Sequence, residues 1–183
     1  MRITSGIFKS RIIKAPAGIR PTLDNVRKAI FDILGGAAEG AKALDLFAGS
    51  GALGLEALSR GAASCTFVDN SRSSVKAIKE NIEALKPGRT EVIYADSSAA
   101  IQGFARGSDR FDIIFMDPPY YKEIAKKTLS LLAGCDILSE TGVAVIEHSK
   151  HDLLPDSSGG LRLFRIARYG DTLVSFYCKG QVK

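Results

Sequence analysis

The sequence has few of the residues that bind metal ions or form disulfide frameworks. Among its 183 residues are three cysteines, two histidines and no tryptophan. Cys65, Cys135 and Cys178 are widely spaced and form no Cys-x-x-Cys pair, so we expect reduced thiols set in apolar or strand-like surroundings. His148 and His151 are too few to complete a set of zinc ligands, and the sequence therefore predicts no metal site.

Long apolar runs are also absent. No uninterrupted hydrophobic stretch approaches the length needed to span a membrane, and Arg2 is followed by no apolar segment of signal-peptide type. With 45% hydrophobic residues, however, the chain can bury a full core. These features predict a compact cytoplasmic protein with a single main domain. We expect it to be a monomer without membrane contacts.

Acidic residues are nearly missing from the start of the chain. In the first 28 residues seven lysines and arginines stand against Asp24 alone, whereas the rest of the chain carries 18 basic and 19 acidic residues. This excess favours a polyanionic partner such as nucleic acid over an ordinary solvated surface. Two short β-type runs, residues 2–4 and 11–14, predict a small basic hairpin outside the main fold. We therefore distinguish an N-terminal arm, residues 1–20, from a main domain, residues 21–183.

The main domain begins with a helical pattern and continues with alternating strand and helix patterns. A first helix is predicted from an N-cap at Thr22 to a stop at Gly35 and Gly36. Predicted strands then cover residues 43–47, 64–68, 91–95, 111–116 and 142–147, with helices over 52–60, 71–85 and 122–133. Strands joined by helical crossovers are parallel, which makes a doubly wound α/β sheet. Two last β runs, 161–168 and 172–178, predict a closing antiparallel hairpin and a mostly parallel sheet of seven strands.

The first predicted strand runs into a glycine loop, residues 49–54, with the pattern G-x-G-x-x-G ahead of a helix. In that context Gly49 allows a tight turn, Gly51 lets a ligand approach the backbone, and Gly54 permits close packing of helix on strand. An anionic ligand group would meet the start of the helix near Ala52. The alternative is a glycine-rich turn that binds nothing.

Acidic residues at strand ends complete this candidate cofactor site. Asp69 ends the second strand, where a carboxylate can accept both hydroxyl groups of a ribose, in NAD or in S-adenosylmethionine. Asp96 ends the third strand and is either an acceptor for an adenine amino group or a helix cap. Asp45 is expected to bond the glycine loop or the cofactor, since a buried carboxylate needs a partner. We include Phe47, which precedes the loop, in the same site.

A second loop follows the apolar strand 111–116 and reads Asp117-Pro118-Pro119-Tyr120. The two prolines stiffen the loop and carry no N–H, so a carboxylate, free carbonyls and an aromatic ring face outward. These groups suit a planar ring with an amino group, because they offer acceptors for its hydrogens and a surface for stacking. The alternative is a structural turn in which Asp117 caps and Tyr120 packs.

Together these motifs resemble an S-adenosylmethionine-dependent methyltransferase that acts on amino groups. The basic arm, Arg20-Pro21-Thr22 and Arg168-Tyr169-Gly170-Asp171-Thr172 further resemble the bacterial family that methylates N2 of a guanine in small-subunit (16S) ribosomal RNA. The resemblance implies a Rossmann-like methyltransferase fold, S-adenosylmethionine as cofactor, and ribosomal RNA or an assembling small ribosomal subunit as partner. Its site residues on this chain are catalytic Asp117, Pro118 and Tyr120, and substrate-binding Arg2, Lys9, Arg11, Lys14, Arg20, Pro119 and Tyr121.

Three other functions share part of this pattern. An adenine-N6 methyltransferase acting on DNA or RNA would use the same Asp117–Tyr120 loop. An NAD-dependent oxidoreductase would share the glycine loop and Asp69 but gives no reason for the second loop or the basic arm. A non-catalytic RNA-binding protein on the same fold would show an altered loop, and neither loop is altered.

Overall fold

The computed structural model describes residues 1–16, 24–120 and 123–180, which form an α/β fold. The helices are α1 (Asp24–Leu34), α2 (Ala52–Ser59), α3 (Arg72–Leu85), α4 (Ser97–Arg106) and α5 (Ile124–Cys135). The strands are β1 (Lys42–Leu46), β2 (Ser64–Asp69), β3 (Arg89–Tyr94), β4 (Phe111–Met116), β5 (Leu138–Ser149), β6 (Ser157–Ser158), β7 (Leu161–Tyr169) and β8 (Thr172–Lys179).

The eight strands found in the described residues belong to one sheet with the order β3-β2-β1-β4-β5-β8-β7-β6. Strands β1 to β5 pair in parallel, while β8 pairs antiparallel with both β5 and β7. The strand order reverses between β1 and β4, so the C-terminal ends of these neighbours open onto one crevice, where ligands bind in such sheets. The predicted doubly wound, mostly parallel sheet with a closing antiparallel hairpin is confirmed.

The sheet differs from the prediction in its strand count. Seven strands were expected, and the eighth is β6, which pairs with the first two residues of β7 at the sheet edge. A strand of two residues has no alternation to detect, which explains why the sequence pattern misses it. The first helix ends at Leu34 as expected, and the chain continues as a short 3₁₀ turn, Gly35–Ala38. The predicted N-cap Thr22 lies outside the described residues.

Apolar side chains fill both faces of the sheet. One face is covered by α1, α2 and α3, where Phe31 packs on Phe115 of β4 with ring centroids 5.5 Å apart. The other face is covered by α4 and α5, whose Ile101, Leu129 and Leu132 are buried. Because β4 is buried on both faces, the start of the loop that follows it is held in a fixed position. No helix within the described ranges is long and apolar enough to cross a membrane.

The described part of the N-terminal arm, residues 1–16, packs on the main domain instead of lying outside it. Its predicted hairpin is a single antiparallel bridge between Arg2 and Ile12, and Ile3 and Ile13 are buried in the core beside α1 and α2. Gly6 sits so close to α2 that an added Cβ would lie 1.8 Å from the carbonyl oxygen of Ser59. Buried apolar contacts therefore hold the arm on the domain, and the basic composition of the arm does not predict them. The predicted boundary at residues 20 and 21 lies outside the described residues.

Candidate active site

The glycine loop joins β1 to α2 at the crevice between β1 and β4. Gly49 and Gly51 have φ values of +56° and +78°, a left-handed conformation that favours glycine. A Cβ on Gly54 would lie 2.3 Å from the Phe67 ring of β2, so this glycine allows the close packing predicted for it. Gly51 packs against Phe67 and Ile78, and its expected approach to a ligand stays a prediction.

Asp69 connects the end of β2 to the glycine loop. Its Oδ2 accepts a hydrogen bond from the amide of Gly49 at 2.8 Å, and its Oδ1 accepts one from the amide of Ser71 at 2.8 Å. These two bonds fix the plane of the carboxylate. Each oxygen has a second lone pair, so the group can accept further hydrogen bonds without losing its backbone partners, and contact with a ribose stays a prediction.

Asp45 lies beneath the glycine loop, near the end of β1. Its Oδ2 accepts the amide hydrogen of Gly54 at 2.9 Å, which is the loop contact expected from the sequence. Burial raises the pKa of this carboxyl well above its usual range, and the nearby charges of Asp117 and Asp69 raise it further. Phe47, two residues on, has a φ of +62°, a strained value for a bulky side chain at the mouth of a site.

Asp96 is the N-cap of α4. Its Oδ1 accepts from the amide of Ser98 at 2.8 Å, and the side chain is exposed. Its neighbours Ala95 and Ser97 line the adjacent cavity, whereas Asp96 does not. The cap expected as one of its two roles is therefore present, and contact with an adenine stays a prediction.

The acceptor loop, residues 117–120, leaves the buried end of β4 beside the glycine loop. Asp117 is partly buried, Pro118 is buried and Pro119 is exposed. The Tyr120 hydroxyl donates to Oε1 of Glu147 at 2.9 Å and lies 3.1 Å from Oγ1 of Thr172. Burial raises the pKa of Tyr120, and the charges of Glu147 and Asp117 add to this effect. The ring is thus held at both ends, by its backbone and by its hydroxyl.

A cavity of about 630 Å³ joins the two loops. Its volume lies within the range of small-molecule sites, roughly 300–1,000 Å³. Residues from both loops line it, together with residues of β1, β2, β5 and β8 and the residue Phe47 that follows β1. They are Asp45, Phe47, Gly49, Asp69, Asp117, Pro118, Pro119, Tyr120, Glu147 and Thr172. The sheet therefore brings four of the predicted cofactor residues and the whole acceptor loop to one space, whereas Gly51 and Asp96 do not line it.

A family model described as "Conserved hypothetical protein 95" matches residues 1–178. The chain belongs to this family. It is 40% identical over 182 residues to the putative rRNA methyltransferase YlbH of Bacillus subtilis, covering 98% of this chain and 99% of that one. It is 33% identical over 179 residues to ribosomal RNA small subunit methyltransferase D of Escherichia coli, covering 97% and 89%.

A solved structure has the same fold as this member of the conserved hypothetical protein 95 family. A putative methyltransferase, yhhF, from Escherichia coli superposes with a TM-score of 0.86 at 31% identity, covering 98% of this chain and 97% of that chain. The fold is that of a methyltransferase. The resemblance to a family of rRNA methyltransferases is confirmed, since relatives over nearly the whole chain carry that name, and the N2 of guanine as the methylated atom stays a prediction.

The basic residues of the arm in this family member differ in their surroundings. Lys9 is exposed on the turn, Arg2 donates to the carbonyl of Ser10, Arg11 donates to that of Ala84, and Lys14 forms an exposed ion pair with Glu80. All four side chains are at the surface, as substrate contacts require. Arg20 and Tyr121 lie outside the described residues.

Arg27, counted in the N-terminal charge excess, is not at the surface. Its side chain is fully buried and pairs with Glu56 and Asp24. Its charge is neutralised inside the fold. The cationic surface of the arm is therefore smaller than the sequence count suggests.

Glu147 and Thr172 are site residues that the sequence reasoning did not single out. Glu147 closes the fifth predicted strand, next to the strand that delivers Asp117, and an acidic residue there was a usable signal. Thr172 lies in the segment 168–172 that carried the family resemblance without a role. Among the described residues no group of three or more His, Cys, Asp or Glu side chains is placed to hold a metal ion.

Proposed function

We propose that this protein transfers a methyl group from S-adenosylmethionine to the exocyclic N2 amine of a guanine in bacterial small-subunit ribosomal RNA. The observation that carries the proposal is the single cavity shared by the glycine loop with Asp69 and by the Asp117–Tyr120 loop. A cofactor and a planar amine substrate have adjacent places in it. The names of the relatives supply the class of RNA.

The cofactor half of the cavity suits an adenosine ligand. Asp69 is oriented by Gly49 and Ser71 toward the position of a ribose, and Phe47 adds an apolar wall. S-adenosylmethionine would supply a methyl group on a positively charged sulfur. The acidic side chains Asp69, Asp117 and Glu147, which line the cavity, favour a cationic ligand over a dinucleotide diphosphate. This charge pattern supports a methyl donor over NAD.

The acceptor half suits an amine that is a weak nucleophile. The lone pair of guanine N2 is delocalised into the ring, and two acceptors on its hydrogens draw the nitrogen toward a tetrahedral geometry. Asp117 offers a carboxylate oxygen, and Pro118 offers its carbonyl oxygen. Neither proline of the loop has a backbone N–H that could occupy a neighbouring carbonyl. Tyr120 stacks on the base, and its tethered hydroxyl keeps the ring plane fixed. Orientation for in-line displacement then supplies most of the acceleration.

The substrate base must leave its helix or lie in a single strand to reach this loop. The exposed cations Arg2, Lys9, Arg11 and Lys14 would hold flanking phosphates, together with Arg20. Tyr121 and the exposed Pro119 would contact the base or its neighbours. A ribosomal RNA substrate also agrees with the predicted cytoplasmic location, and we expect a monomer to be sufficient because one chain supplies both loops.

The proposal is tested by incubating the protein with labelled S-adenosylmethionine and, separately, small-subunit rRNA, small ribosomal particles and DNA. Nucleoside analysis of the products identifies the methylated atom. We expect N2-methylguanosine from rRNA or from the particle. N6-methyladenosine would instead support the adenine-N6 alternative, and absence of label in every acceptor would contradict a methyltransferase.

A further inference from the structure

The outer side of β7 carries basic and aromatic side chains that the candidate active site does not use. Phe164, Arg165 and Arg168 are exposed, and Tyr169 is partly buried. Strand β6 pairs only with the first two residues of β7, so residues 163–169 have no strand partner on their outer side within the described ranges. We call the four side chains Phe164, Arg165, Arg168 and Tyr169 the β7 edge surface.

The positive charge of this surface is not balanced by neighbouring acids. The hairpin segment from residue 161 to residue 172 carries three arginines and one acidic residue, Asp171, which pairs with Lys150 at 2.7 Å. Neither Arg165 nor Arg168 forms an ion pair with another described residue. Exposed guanidinium groups bind phosphate with two parallel hydrogen bonds. The β7 edge surface is therefore complementary to a polyanion.

The local structure of β7 favours an unpaired nucleic acid over a β-strand as the partner. Leu163 pairs with Tyr177 and Arg165 with Phe176, so Phe164 is an extra residue that interrupts the regular pairing. Such a bulge, together with exposed charges, keeps an edge strand from pairing with another chain. The Phe164 ring packs on Phe176 with centroids 6.1 Å apart and is 40% exposed. An anchored, partly exposed ring beside arginines is suited to stacking on an unpaired base.

The β7 edge surface and the N-terminal arm lie on opposite sides of the cavity. The arm hydrogen-bonds to α2 and α3, which pack on β1, β2 and β3, whereas β7 lies beyond β5 and β8 in the sheet order. Tyr169 pairs with Thr172, which lines the cavity, so the surface begins beside the cavity. An RNA strand whose target base enters the cavity therefore has a cationic surface available on each side of that base.

We propose that the β7 edge surface binds the RNA segment on one side of the methylated nucleotide, opposite the segment that the N-terminal arm contacts. Arg165 and Arg168 bind phosphates, and Phe164 stacks on an unpaired base. The inference rests on the proposed function, because it takes RNA as the substrate. It adds a second RNA contact, which the N-terminal charge excess does not reveal.

The charge contribution is tested by replacing Arg165 and Arg168 together with glutamine and measuring the affinity for small-subunit rRNA at several salt concentrations. The log–log slope of affinity against salt should fall by about 1.4–1.8, because two phosphate contacts are lost. The matched control replaces the exposed Arg89 and Arg106 with glutamine. Arg89 begins β3 and Arg106 ends α4, so both lie at the ends of the strands away from the cavity, and the slope should stay native. Equal slopes in the two double variants would overturn the inference.

The stacking contribution is tested at Phe164. Phe164→Leu keeps an apolar side chain beside Phe176 but removes the ring, so it should bind small-subunit rRNA about 5- to 150-fold more weakly with an unchanged salt slope. Phe164→Tyr keeps the ring and is the control, with native affinity expected. Urea denaturation of both variants checks that the fold is retained. Native affinity in a folded Phe164→Leu variant would overturn the stacking contact.

The partner is identified by cross-linking from Ile166, which is 53% exposed and lies between the two arginines. A benzophenone side chain is introduced at this position, and the protein is irradiated with the small ribosomal subunit. Cross-links to rRNA nucleotides on one side of the methylated base would support the proposal. Cross-links to a ribosomal protein or to a second copy of this chain would contradict it.

Two results separate this inference from the proposed function. If the native protein methylates guanine N2 in rRNA and the Arg165 and Arg168 double variant keeps the native salt slope, the inference alone fails. If the native protein methylates no guanine N2 but its rRNA affinity depends on Arg165 and Arg168, the proposed function fails and the RNA-binding surface stands.

Discussion

Arg27 and Glu56 form an ion pair in which both side chains are fully buried, with Arg27 Nε 3.3 Å from Glu56 Oε2. Glu56 also accepts from the amides of Thr4 and Ser5, at 2.8 and 3.0 Å, while Arg27 donates to the carbonyl of Arg2. The pair therefore joins the N-terminal arm to α1 and α2. The N-terminal arm, whose charge suggests a role in RNA binding, therefore also stabilises the main domain.

Removing Glu56 should destabilise the whole protein. Glu56→Ala removes the buried carboxylate partner of Arg27 and leaves it only the partly exposed Asp24. Breaking a buried ion pair costs about 3–5 kcal/mol of unfolding free energy. Urea denaturation measures the loss. Glu83→Ala, at an exposed position on α3, is the control and should change the unfolding free energy by less than about 0.5 kcal/mol. Similar losses in both variants would contradict a structural role for the buried pair.

Asp45 should make stability depend on pH in a defined direction. Burial raises the pKa of this carboxyl, so the folded protein keeps a proton that the unfolded chain releases. The stabilisation is fully present below the unfolded-state pKa and is lost as pH rises through the folded-state pKa. Asp45→Asn retains an acceptor for Gly54 and cannot ionise. We expect it to gain stability relative to the native protein in urea denaturation as the pH rises above about 4; parallel pH profiles would refute this.

Asp69 should contribute directly to cofactor affinity. Asp69→Ala removes charge-assisted hydrogen bonds worth roughly 1.5–3 kcal/mol, so S-adenosylhomocysteine should bind about 10- to 100-fold more weakly in calorimetry. Loss of the Gly49 and Ser71 contacts adds to the effect by loosening the loop. Asp109→Ala, which removes an ion pair with Lys42 at the start of β1, is the control and should bind normally. Unchanged affinity in Asp69→Ala would place the ribose contact elsewhere.

The contribution of the N-terminal arm to RNA binding is best tested without deleting it. Deletion would expose the core around Ile3 and Ile13, so the exposed Lys9 and Arg11 are replaced by glutamine together. If both contact phosphates, log–log plots of RNA affinity against salt should lose about 1.4–1.8 of their slope. Replacing the exposed Lys126 and Lys127 of α5, on the opposite face of the sheet, should leave the slope unchanged. Equal salt slopes of RNA affinity in the two double variants would mean that Lys9 and Arg11 are solvated and do not contact phosphates.

The sequence was most informative where one local pattern fixes the structure. Strand β4 was predicted with its observed bounds because a short run of five apolar residues and Asp112 is ended by Asp117 and two prolines. Asp45 and Asp69 were predicted beside the glycine loop because that loop joins a strand to a helix, and strand ends next to it place their side chains close by. The order of the parallel strands then brought these residues to one edge.

Contacts between distant residues were beyond the reach of such patterns. Tyr120 meets Glu147 and Thr172 across 27 and 52 residues of chain, and only the pairing of β4, β5 and β8 brings them together. Burial of the arm depends on Ile3 and Ile13, whose basic and polar neighbours indicate an exposed strand. Charge counting failed for Arg27 for a related reason, since its partner Glu56 is 29 residues away.

Asp117 is the residue on which the proposed chemistry depends most. Asp117→Ala should leave S-adenosylhomocysteine and RNA affinity nearly intact and reduce the single-turnover methylation rate strongly, because the carboxylate helps most as the amine nitrogen rehybridises and gains positive charge. Loss of one such electrostatic contact typically slows a reaction about 10²- to 10³-fold. Asp117→Asn keeps one acceptor oxygen without the charge, so its methylation rate should lie between those of the native protein and Asp117→Ala. Methylation by Asp117→Ala at the native rate would make the 117–120 loop a structural turn, and the reacting amine would have to be held by another part of the chain.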